Sequence, residues 1–453
     1  MLKGKGYSDH FRKNFTLAYP VMLSQLGHVM VGVADNMMVG RLGAVSLAAA
    51  SLGNAVFFML LTFGIGVSYA ITPLVAEADG EGNKEKIIQV LKHGLVINGV
   101  TGVILFVLVL LGGQGLYFMN QPIKVVEFAI PYLAIITFSI VPFMFFQTFR
   151  QFAEGLSNTK QAMYITVSSN IINVVLNYIF IYGKLGFPAM GLLGAGYATL
   201  VSRIVMAIAM GLYIYRNKRF TIYRGGFYFG GYMNKMFKKM LNLGIPAGMQ
   251  FSFEVSAFAG AAIMIGWISA EALAAHQIAI NLAAISYMMA SGLSAAATIR
   301  VGNQLGRKDI VMLRRAGFSI YMMVTIFMLI WAVIFIVGRY FLPSLYIDNQ
   351  MVIEQAAGLI IIAGLFQLSD GIQVVSLGVL RGLSDVKIPT WFTFIAYWGL
   401  GLPIGYYLGF VANWGAEGIW YGLLIGLSAV GIALFIRFNI LTKKLLINGN
   451  THK

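Results

Sequence analysis

Twelve long runs of apolar residues divide this 453-residue chain, and they constrain its fold more than any other feature. A helix needs about 20 predominantly apolar residues to cross a bilayer whose hydrocarbon core is about 30 Å thick. A helix also satisfies its own backbone hydrogen bonds, as a lipid environment requires. The runs therefore predict twelve transmembrane helices, spans one to twelve, over residues 15–39, 45–75, 88–112, 125–149, 161–183, 190–214, 241–268, 271–298, 313–338, 352–380, 388–410 and 415–440.

The composition excludes several classes of protein. Of all residues 59% are hydrophobic and 11% charged, whereas soluble domains have about 45–50% apolar and about 25% charged residues. The net charge of +16 does not indicate a nucleic-acid-binding domain, because the basic residues lie in short gaps between apolar runs. The chain contains no cysteine, no glycine-rich phosphate loop and no metal-ligand spacing of histidines. We therefore expect neither an enzyme nor an ATP-driven pump, and no organic cofactor.

The basic residues predict how the chain is oriented in the membrane. If both termini lie on one side, 27 Lys and Arg residues fall on that side, four fall on the other, and Arg203 falls within a span. Lys and Arg concentrate in cytoplasmic loops. The N-terminal stretch Met1–Lys13 lacks a small-residue cleavage site, so it is expected to lead into a retained helix. We expect a monomer in the inner membrane, with lipid neighbours and both termini in the cytoplasm.

The two halves of the chain resemble each other at an offset of about 226 residues. Gly66 matches Gly292, and later in each half, where the offset slips, Gly191 matches Gly415. Each half holds six spans, so the predicted fold is an all-α membrane protein of two six-helix bundles in a parallel repeat. Such repeats alternate access by rocking about a central site, and the alternative is that they serve packing alone. The predicted organisation is an N-terminal lobe (1–215), a basic cytoplasmic linker (216–240) and a C-terminal lobe (241–453).

Three carboxylates stand out well inside the predicted spans: Asp35 in span one, Glu254 in span seven and Asp370 in span ten. An ionisable residue inside the membrane is expensive to bury and marks a functional site by default. At the repeat offset Asp35 lies opposite Ala261 and Glu254 lies opposite His28, so the two lobes differ in ion chemistry. The alternative for each carboxyl is a neutral hydrogen bond between helices.

Two amides accompany the carboxylate of the N-terminal lobe. Asn173 and Asn177 are one turn apart on one face of span five, and Asn177 lies about as far from the outer end of its span as Asp35 does. A carboxylate with amide oxygens predicts a proton or hard-cation site, although amides also join membrane helices. Glu254 and Asp370 both fall near mid-membrane and predict a second site. The oxygens predicted to bind sodium, where sodium is the coupling ion, belong to Asp35, Asn177, Glu254 and Asp370.

Residues that contact the substrate are predicted from the same set. Asp35 and Asp370 would attract a lipophilic cation. Gln277, early in span eight beside His276, is added as a polar contact, although a structural role explains both residues equally well. The 24 Met and 33 Phe residues include side chains able to line an adaptable pocket.

Several stretches around these residues resemble the multidrug and toxic compound extrusion (MATE) family, specifically its bacterial NorM-type branch. The resemblance implies two six-helix bundles around a central cavity, with export of cationic drugs driven by inward flow of sodium ions or protons. It places the family's N-lobe aspartate and span-five amides on Asp35, Asn173 and Asn177, and its C-lobe pair on Glu254 and Asp370. The matching stretches are Val33–Gly40, Asn173–Gly186, Phe253–Val255, Ala274–Asn281, Ile299–Gly306, Asp370–Val375 and Leu380–Gly382.

One position departs from the family pattern. In some relatives a tyrosine one turn before the span-ten aspartate helps to bind the cation, and here that position is Phe366, which has no hydroxyl. The N-terminal lobe is therefore the expected coupling site.

Two other functions compete with drug export. A flippase for lipid-linked oligosaccharides would place unpaired basic residues in its cavity, but Arg203 is the one basic residue far from the ends of a predicted span, and the carboxylates favour cationic cargo. A lipid-processing enzyme would need a cluster of His and Asp at a membrane interface, and the sequence has none.

Overall fold

The structure is a computed structural model that describes residues 7–118, 121–228 and 230–450. Within these residues the chain is helical and contains no β-strand. Twelve helices in the described part of the chain are long and apolar enough to cross a membrane. They are α1 (Tyr7–Gly40), α2 (Ala44–Glu81), α3 (Lys84–Phe118), α4 (Ile123–Gly155), α5 (Thr159–Tyr182), α6 (Leu192–Arg216), α7 (Asn234–Gly266), α8 (Ala270–Gly306), α9 (Ile310–Val337), α10 (Gln350–Gly382), α11 (Lys387–Val411) and α12 (Gly415–Asn450).

The predicted fold class is confirmed, since each of the twelve helices contains or overlaps one predicted span in order. Most helices extend beyond the apolar run that predicted them. For example, α1 begins at Tyr7 although its apolar run begins near residue 15. Hydrophobicity marks only the part of a helix that lipid or protein must cover, while polar residues of good helix propensity continue it into water.

Three of the helices are interrupted at positions that the apolar pattern does not reveal. A turn at residues 69–70 divides α2, and a turn at Ser139 divides α4. In α11 the segments Ile395–Gly401 and Tyr407–Val411 are π-helical. Pro403 lies between them, and a proline removes a backbone donor and crowds the carbonyl four residues before it. A wider π turn relieves that crowding.

The chain forms two compact units. The first, which we call the N-unit, is Leu23–Gly248, and the second, the C-unit, is Met249–Lys453 together with the chain up to Met22. The boundaries lie within α1 and α7, so the first part of each of these helices belongs to one unit and the remainder to the other.

Close helix contacts accompany each boundary. A Cβ added at Gly66 in α2 would lie 2.5 Å from Gly248 Cα in α7, and one added at Gly292 in α8 would lie 2.5 Å from Met22 Cγ in α1. Both residue pairs are related by the same offset of 226. Only glycine permits so close an approach, so the start of each boundary helix packs against the second helix of one repeat.

The repeat is also visible in the backbone. The corner after α4 places Ser157 at φ 60°, and the corner after α10 places Ser384 at φ 58°. At the starts of α6 and α12, Gly191 and Gly415 have φ 55° and 58°. Left-handed conformations are rare for residues other than glycine. Their presence at serines in equivalent positions shows that the backbone follows the same course in both halves.

Candidate functional site

The predicted N-unit residues come together between α1, α5 and α6. Asn177 Nδ2 donates hydrogen bonds to Asp35 Oδ1 and, over 3.2 Å, to Asn173 Oδ1. Asn173 Nδ2 in turn donates to Ser202 Oγ at 3.4 Å. Both asparagines and Ser202 are buried, and Asp35 is half-buried. The structure thus joins the three predicted residues in one polar chain and extends it to Ser202, which no sequence pattern had singled out.

This polar chain has an unused acceptor. The Oδ1 atom of Asn177 is buried without a hydrogen-bond partner in the described part of the protein. A buried polar atom without a partner costs about 1–3 kcal/mol. An amide oxygen beside a carboxylate is a combination that binds a hard cation, and a protonated carboxyl would also have an acceptor nearby. The geometry is therefore suited to reversible binding of sodium or a proton.

A basic residue stands beside this site. Arg203 follows Ser202 on α6, and its Nη1 donates to Ser139 Oγ at 2.9 Å, at the interruption of α4. Its guanidinium lies over the buried rings of Phe57 in α2 and Phe143 in α4. The sequence had identified Arg203 as a basic residue within a span but had not connected it with Ser139, because the two residues are 64 positions apart.

The predicted C-unit carboxylates lie between α7, α10 and α11. Gln373 Nε2 donates to Glu254 Oε1 at 3.4 Å, and Tyr397 OH donates to Gln373 Oε1 at 2.8 Å. Asp370 precedes Gln373 by three residues on α10, so it lies on the face of that helix that contacts Glu254. Glu254, Asp370, Gln373 and Tyr397 are all buried. The structure brings the predicted pair together.

Two members of this second site were missed in the sequence. Gln373 follows Asp370 by three residues, within a stretch that had been recognised, so its spacing on the helix was an available signal. Tyr397 carried no signal, because it lies in the π-helical part of α11 and its orientation depends on that distortion.

Gln277 is placed differently from the other predicted residues. It is exposed, and its Nε2 donates to Asn281 Oδ1 at 3.3 Å on the same helix. Among the described contacts none joins Gln277 to Asp35 or Asp370. Its role as a substrate contact therefore stays a prediction.

The neighbouring His276 belongs to an aromatic stack. Its Nδ1 accepts a hydrogen bond from Trp420 Nε1 at 3.1 Å, and Trp420 stacks on Phe366 with ring centroids 5.5 Å apart. The position where some relatives have a tyrosine is thus occupied by a ring that packs on Trp420. His276 and Phe366 both contribute to this stack.

Neither site has the ligand set of a transition-metal centre. In the described ranges no three His, Asp or Glu side chains are grouped to hold a metal ion. The two sites instead combine one or two carboxylates with neutral amides and hydroxyls. Such donors suit protons and weakly held hard cations.

Among known protein families, one family model matches two segments of the chain. The family model described as MatE matches residues 20–179 and 246–407. The two matched segments begin 226 residues apart, which is the predicted repeat offset.

Two curated relatives are similar over nearly their whole length. The multidrug resistance protein NorM of Photobacterium profundum is 36% identical over 438 residues, covering 95% of each chain. The multidrug resistance protein MdtK of Photorhabdus laumondii subsp. laumondii is 34% identical over 455 residues, covering 98% of this chain and 99% of the relative.

Solved structures show the same fold. A MATE structure in the bent conformation superposes with a TM-score of 0.89 at 20% identity, covering 99% of this chain and all of that one. The eukaryotic MATE transporter AtDTX14 gives 0.87 at 20% identity, covering 98% and 100%.

Proposed function

Because this chain belongs to the multidrug and toxic compound extrusion (MatE) family and is of the NorM type, we propose that it exports lipophilic cationic drugs in exchange for sodium ions or protons. It is a multi-pass membrane protein of a family of transporters. We place it in the inner membrane with both termini in the cytoplasm, since the 27 to 4 division of basic residues supports that orientation. Export of drugs by such a protein would confer resistance to them.

The observation that carries this proposal is that each unit holds its own acidic site within its spanning helices. Asp35 with Asn177 and Asn173 forms one, and Glu254 with Asp370 forms the other. Carboxylates inside a membrane protein are expensive and pair with ions or substrates. Two such sites suit an antiporter, which must bind a coupling cation and a cationic cargo.

We assign coupling to the N-unit site. A cation that neutralises Asp35 changes the hydrogen bonds that this carboxylate can make with Asn177 on α5. A ligand shifts a conformational equilibrium only through unequal affinity for the two arrangements. Binding and release of one cation at Asp35 would therefore favour one helix arrangement and then the other, as alternating access requires.

We assign cargo recognition mainly to the C-unit. Glu254 and Asp370 supply two acidic groups, and the neutral Gln373 and Tyr397 fix Glu254 in place. A positive drug is attracted by these acidic groups. Gln277 is exposed and can offer a polar contact, and Asp35 is a second acidic group for a cation to meet.

Accumulation of a cationic fluorescent dye in a sensitive bacterial host lacking its own exporters tests the proposal. We expect cells expressing the protein to hold less dye than cells carrying an empty vector, because efflux opposes dye entry. Vesicles from the same cells, given a sodium gradient or a pH gradient in turn, would identify the coupling ion. Unchanged dye accumulation with confirmed membrane expression would contradict export.

A variant of the proposed coupling residue, Asp35→Asn, needs a matched control that removes a carboxylate elsewhere. The acidic residue Asp348 is suitable, because it is exposed and lies outside the helices. Asp348→Asn removes one carboxylate by the same chemistry as Asp35→Asn. We expect Asp348→Asn to lower dye accumulation as the wild type does. Loss of export in Asp348→Asn would point to a general effect of charge on folding or expression.

A further inference from the structure

A groove between α9 and α12 opens on the surface of the C-unit. Its volume is about 520 Å³, within the range of about 300–1,000 Å³ that is common for small-molecule sites. Two of its lining residues, Met322 and Ile326, are exposed although α9 is the most apolar of the twelve spanning helices. An exposed apolar surface on a spanning helix faces lipid chains. The residues that line this α9–α12 groove are Phe318, Tyr321, Met322, Thr325, Ile326 and Phe435.

Three basic side chains stand at one end of the groove. Arg314 lies one turn before Phe318 on α9, and Arg315 follows it. On α12, Lys443 lies one turn after Asn439. In the described part of the chain none of the three basic residues forms an ion pair. We propose that the α9–α12 groove binds an anionic phospholipid, with an acyl chain against its rings and the phosphate against the three basic side chains.

The guanidinium of Arg314 is fixed by neutral partners. Its Nη1 donates to the carbonyl oxygen of Asn439 at 3.3 Å and to Thr442 Oγ1, and its Nη2 donates to Asn439 Oδ1 at 2.9 Å. The guanidinium carbon also lies 5.1 Å from the ring centroid of Phe318. These contacts hold the group without cancelling its charge, and none of the described hydrogen bonds uses Nε. An arginine edge with a free Nε suits a phosphate, which accepts paired hydrogen bonds.

Aromatic rings connect this charged end to the apolar part of the groove. The centroid of Phe435 lies 6.2 Å from that of Phe318 and 5.0 Å from that of Tyr321. Tyr321 OH forms a hydrogen bond with Ser376 Oγ at 2.8 Å, which fixes its ring. Walls that are already ordered lose little conformational entropy when a flexible chain packs against them. The groove is therefore formed before an acyl chain enters it.

The position of the charges identifies the occupant as a lipid. The apolar run of α9 begins near residue 313 and that of α12 ends near residue 440, so the basic residues lie where headgroups meet the hydrocarbon core. Basic pockets between spanning helices at this level bind anionic headgroups. The start of α9 lies on the side of the membrane that holds the termini, which we place in the cytoplasm, so the lipid belongs to the cytoplasmic leaflet.

Two other occupants fit less well. A soluble anion would contact the basic residues but would leave the apolar rings uncovered. A second copy of this chain, related by a two-fold axis, would bring the same basic residues to the same place, and like charges repel. An anionic phospholipid satisfies both ends of the groove.

A probe beside the groove can test the proposal, because the chain contains no cysteine and an introduced thiol is unique. Leu329 is exposed on α9, one turn beyond Thr325. Leu329→Cys, labelled with a small fluorophore, would be placed in bilayers of phosphatidylglycerol and phosphatidylcholine in which one lipid or the other carries quenching brominated chains. Each basic residue near a membrane surface contributes about fivefold to the binding of an anionic lipid. We therefore expect brominated phosphatidylglycerol to be preferred about a hundredfold at this label.

The control label is Val103→Cys on α3. Val103 is exposed and lies about as far from the start of its apolar run as Leu329 does. It has no such groove among its described contacts, so both brominated lipids should quench it alike.

Charge variants of the Leu329→Cys protein sharpen the test. Arg315 and Lys443 are exposed, so Arg315→Gln and Lys443→Gln should fold, and each should lower the preference for phosphatidylglycerol about fivefold. Lys444→Gln is the matched control, because Lys444 is exposed but lies on the opposite face of α12 from Phe435. Its preference should stay at the value without a charge variant.

Several results would overturn the proposal. Equal quenching by the two lipids at the Leu329 position would show that no anionic lipid is selected, and an equal loss in Lys444→Gln and Lys443→Gln would show a general surface effect. Displacement by soluble glycerol phosphate would indicate a site for a free anion. Disulfide-linked dimers of unlabelled Leu329→Cys would indicate that a second copy covers the groove. Drug export does not enter these measurements, so a lipid preference in a protein that exports no dye would contradict the proposed function alone.

Discussion

In the N-unit the corner after α4 places Asn158 against Tyr213, whose hydroxyl accepts from Nδ2 at 2.8 Å. At the equivalent corner of the C-unit, Asp385 accepts two hydrogen bonds from Arg437, at 2.6 and 3.0 Å. A neutral pair in one unit thus stands where an ion pair stands in the other. The repeat keeps the contact between the corner and the sixth helix but leaves its chemistry free to change.

Where the contact involves the backbone, the two units remain alike. Thr72 donates to the carbonyl of Gln151 at 3.1 Å, and Thr298 donates to the carbonyl of Gly378 at 2.9 Å, each joining the second helix of a repeat to the fourth. Such hydrogen bonds to the backbone, together with close contacts at glycines, set the helix paths of the two units. Neither kind of contact depends strongly on side-chain charge.

The acidic sites show the opposite behaviour. The N-unit site uses the first, fifth and sixth helices of its repeat, through Asp35, Asn177 and Ser202. The C-unit site uses the first, fourth and fifth, through Glu254, Gln373 and Tyr397. One backbone therefore supports two different sites, and this difference is the basis of our proposal that the N-unit handles the coupling ion and the C-unit the cargo.

Among the variants that test this difference between the two sites, Asp35→Asn should have the largest effect on drug efflux. The amide keeps the size and the hydrogen bond of the side chain but removes both the titratable group and the charge. Gradient-driven drug efflux should fall to the level of empty vesicles under sodium and pH gradients alike, while drug binding persists. Efflux from vesicles and equilibrium dye binding would measure the two properties separately. Robust efflux by this variant would move coupling to the C-unit.

A smaller effect is expected in the C-unit. Glu254→Gln and Asp370→Asn should each lower drug efflux about tenfold, the scale of a typical coupling free energy between sites, with folding retained. Efflux and size-exclusion profiles would be compared with those of Glu354→Gln, an exposed acid on the same helix α10. Normal transport by both C-unit variants would show that the pair is structural and that the N-unit acts alone.

The smallest effect is expected from glycine variants that test the backbone packing common to the two units. A Cβ at Gly194 would lie 2.6 Å from the Phe180 carbonyl carbon, and one at Gly418 would lie 2.6 Å from that of Leu408. Backbone on the far side cannot give way, so Gly194→Ala and Gly418→Ala should each cost about 1–3 kcal/mol of stability. Thermal unfolding in detergent should show similar losses in both.

Gly112→Ala serves as the control for the glycine pair, because nothing lies within 4 Å of a Cβ at that position in α3. Its melting temperature should stay close to that of the wild type. A loss at Gly194 without one at Gly418 would show that the two halves do not share their packing requirements.

The sequence alone predicted three residues of the N-unit site, Asp35, Asn173 and Asn177. Asn173 and Asn177 are four residues apart, which places them on one face of any helix, and counting residues from the ends of two spans put Asn177 level with Asp35. Local periodicity and the fixed rise of a helix were sufficient for that inference. The partners Ser202 and Arg203 were out of reach, because the rotation of α6 about its own axis depends on what it packs against.

The chain by itself determined the twelve helices, the repeat and the acidic residues. An apolar run of that length matches the thickness of a bilayer, and every backbone polar group inside the bilayer needs a hydrogen-bond partner. The run therefore crosses the membrane as a helix. Only the tertiary structure decided that α1 and α7 are each divided between two units, that Tyr397 reaches Gln373 from a π-helical turn, and that Arg203 lies over the rings of Phe57 and Phe143. These features depend on contacts between residues far apart in the chain, and such contacts are fixed by packing, which local sequence does not encode.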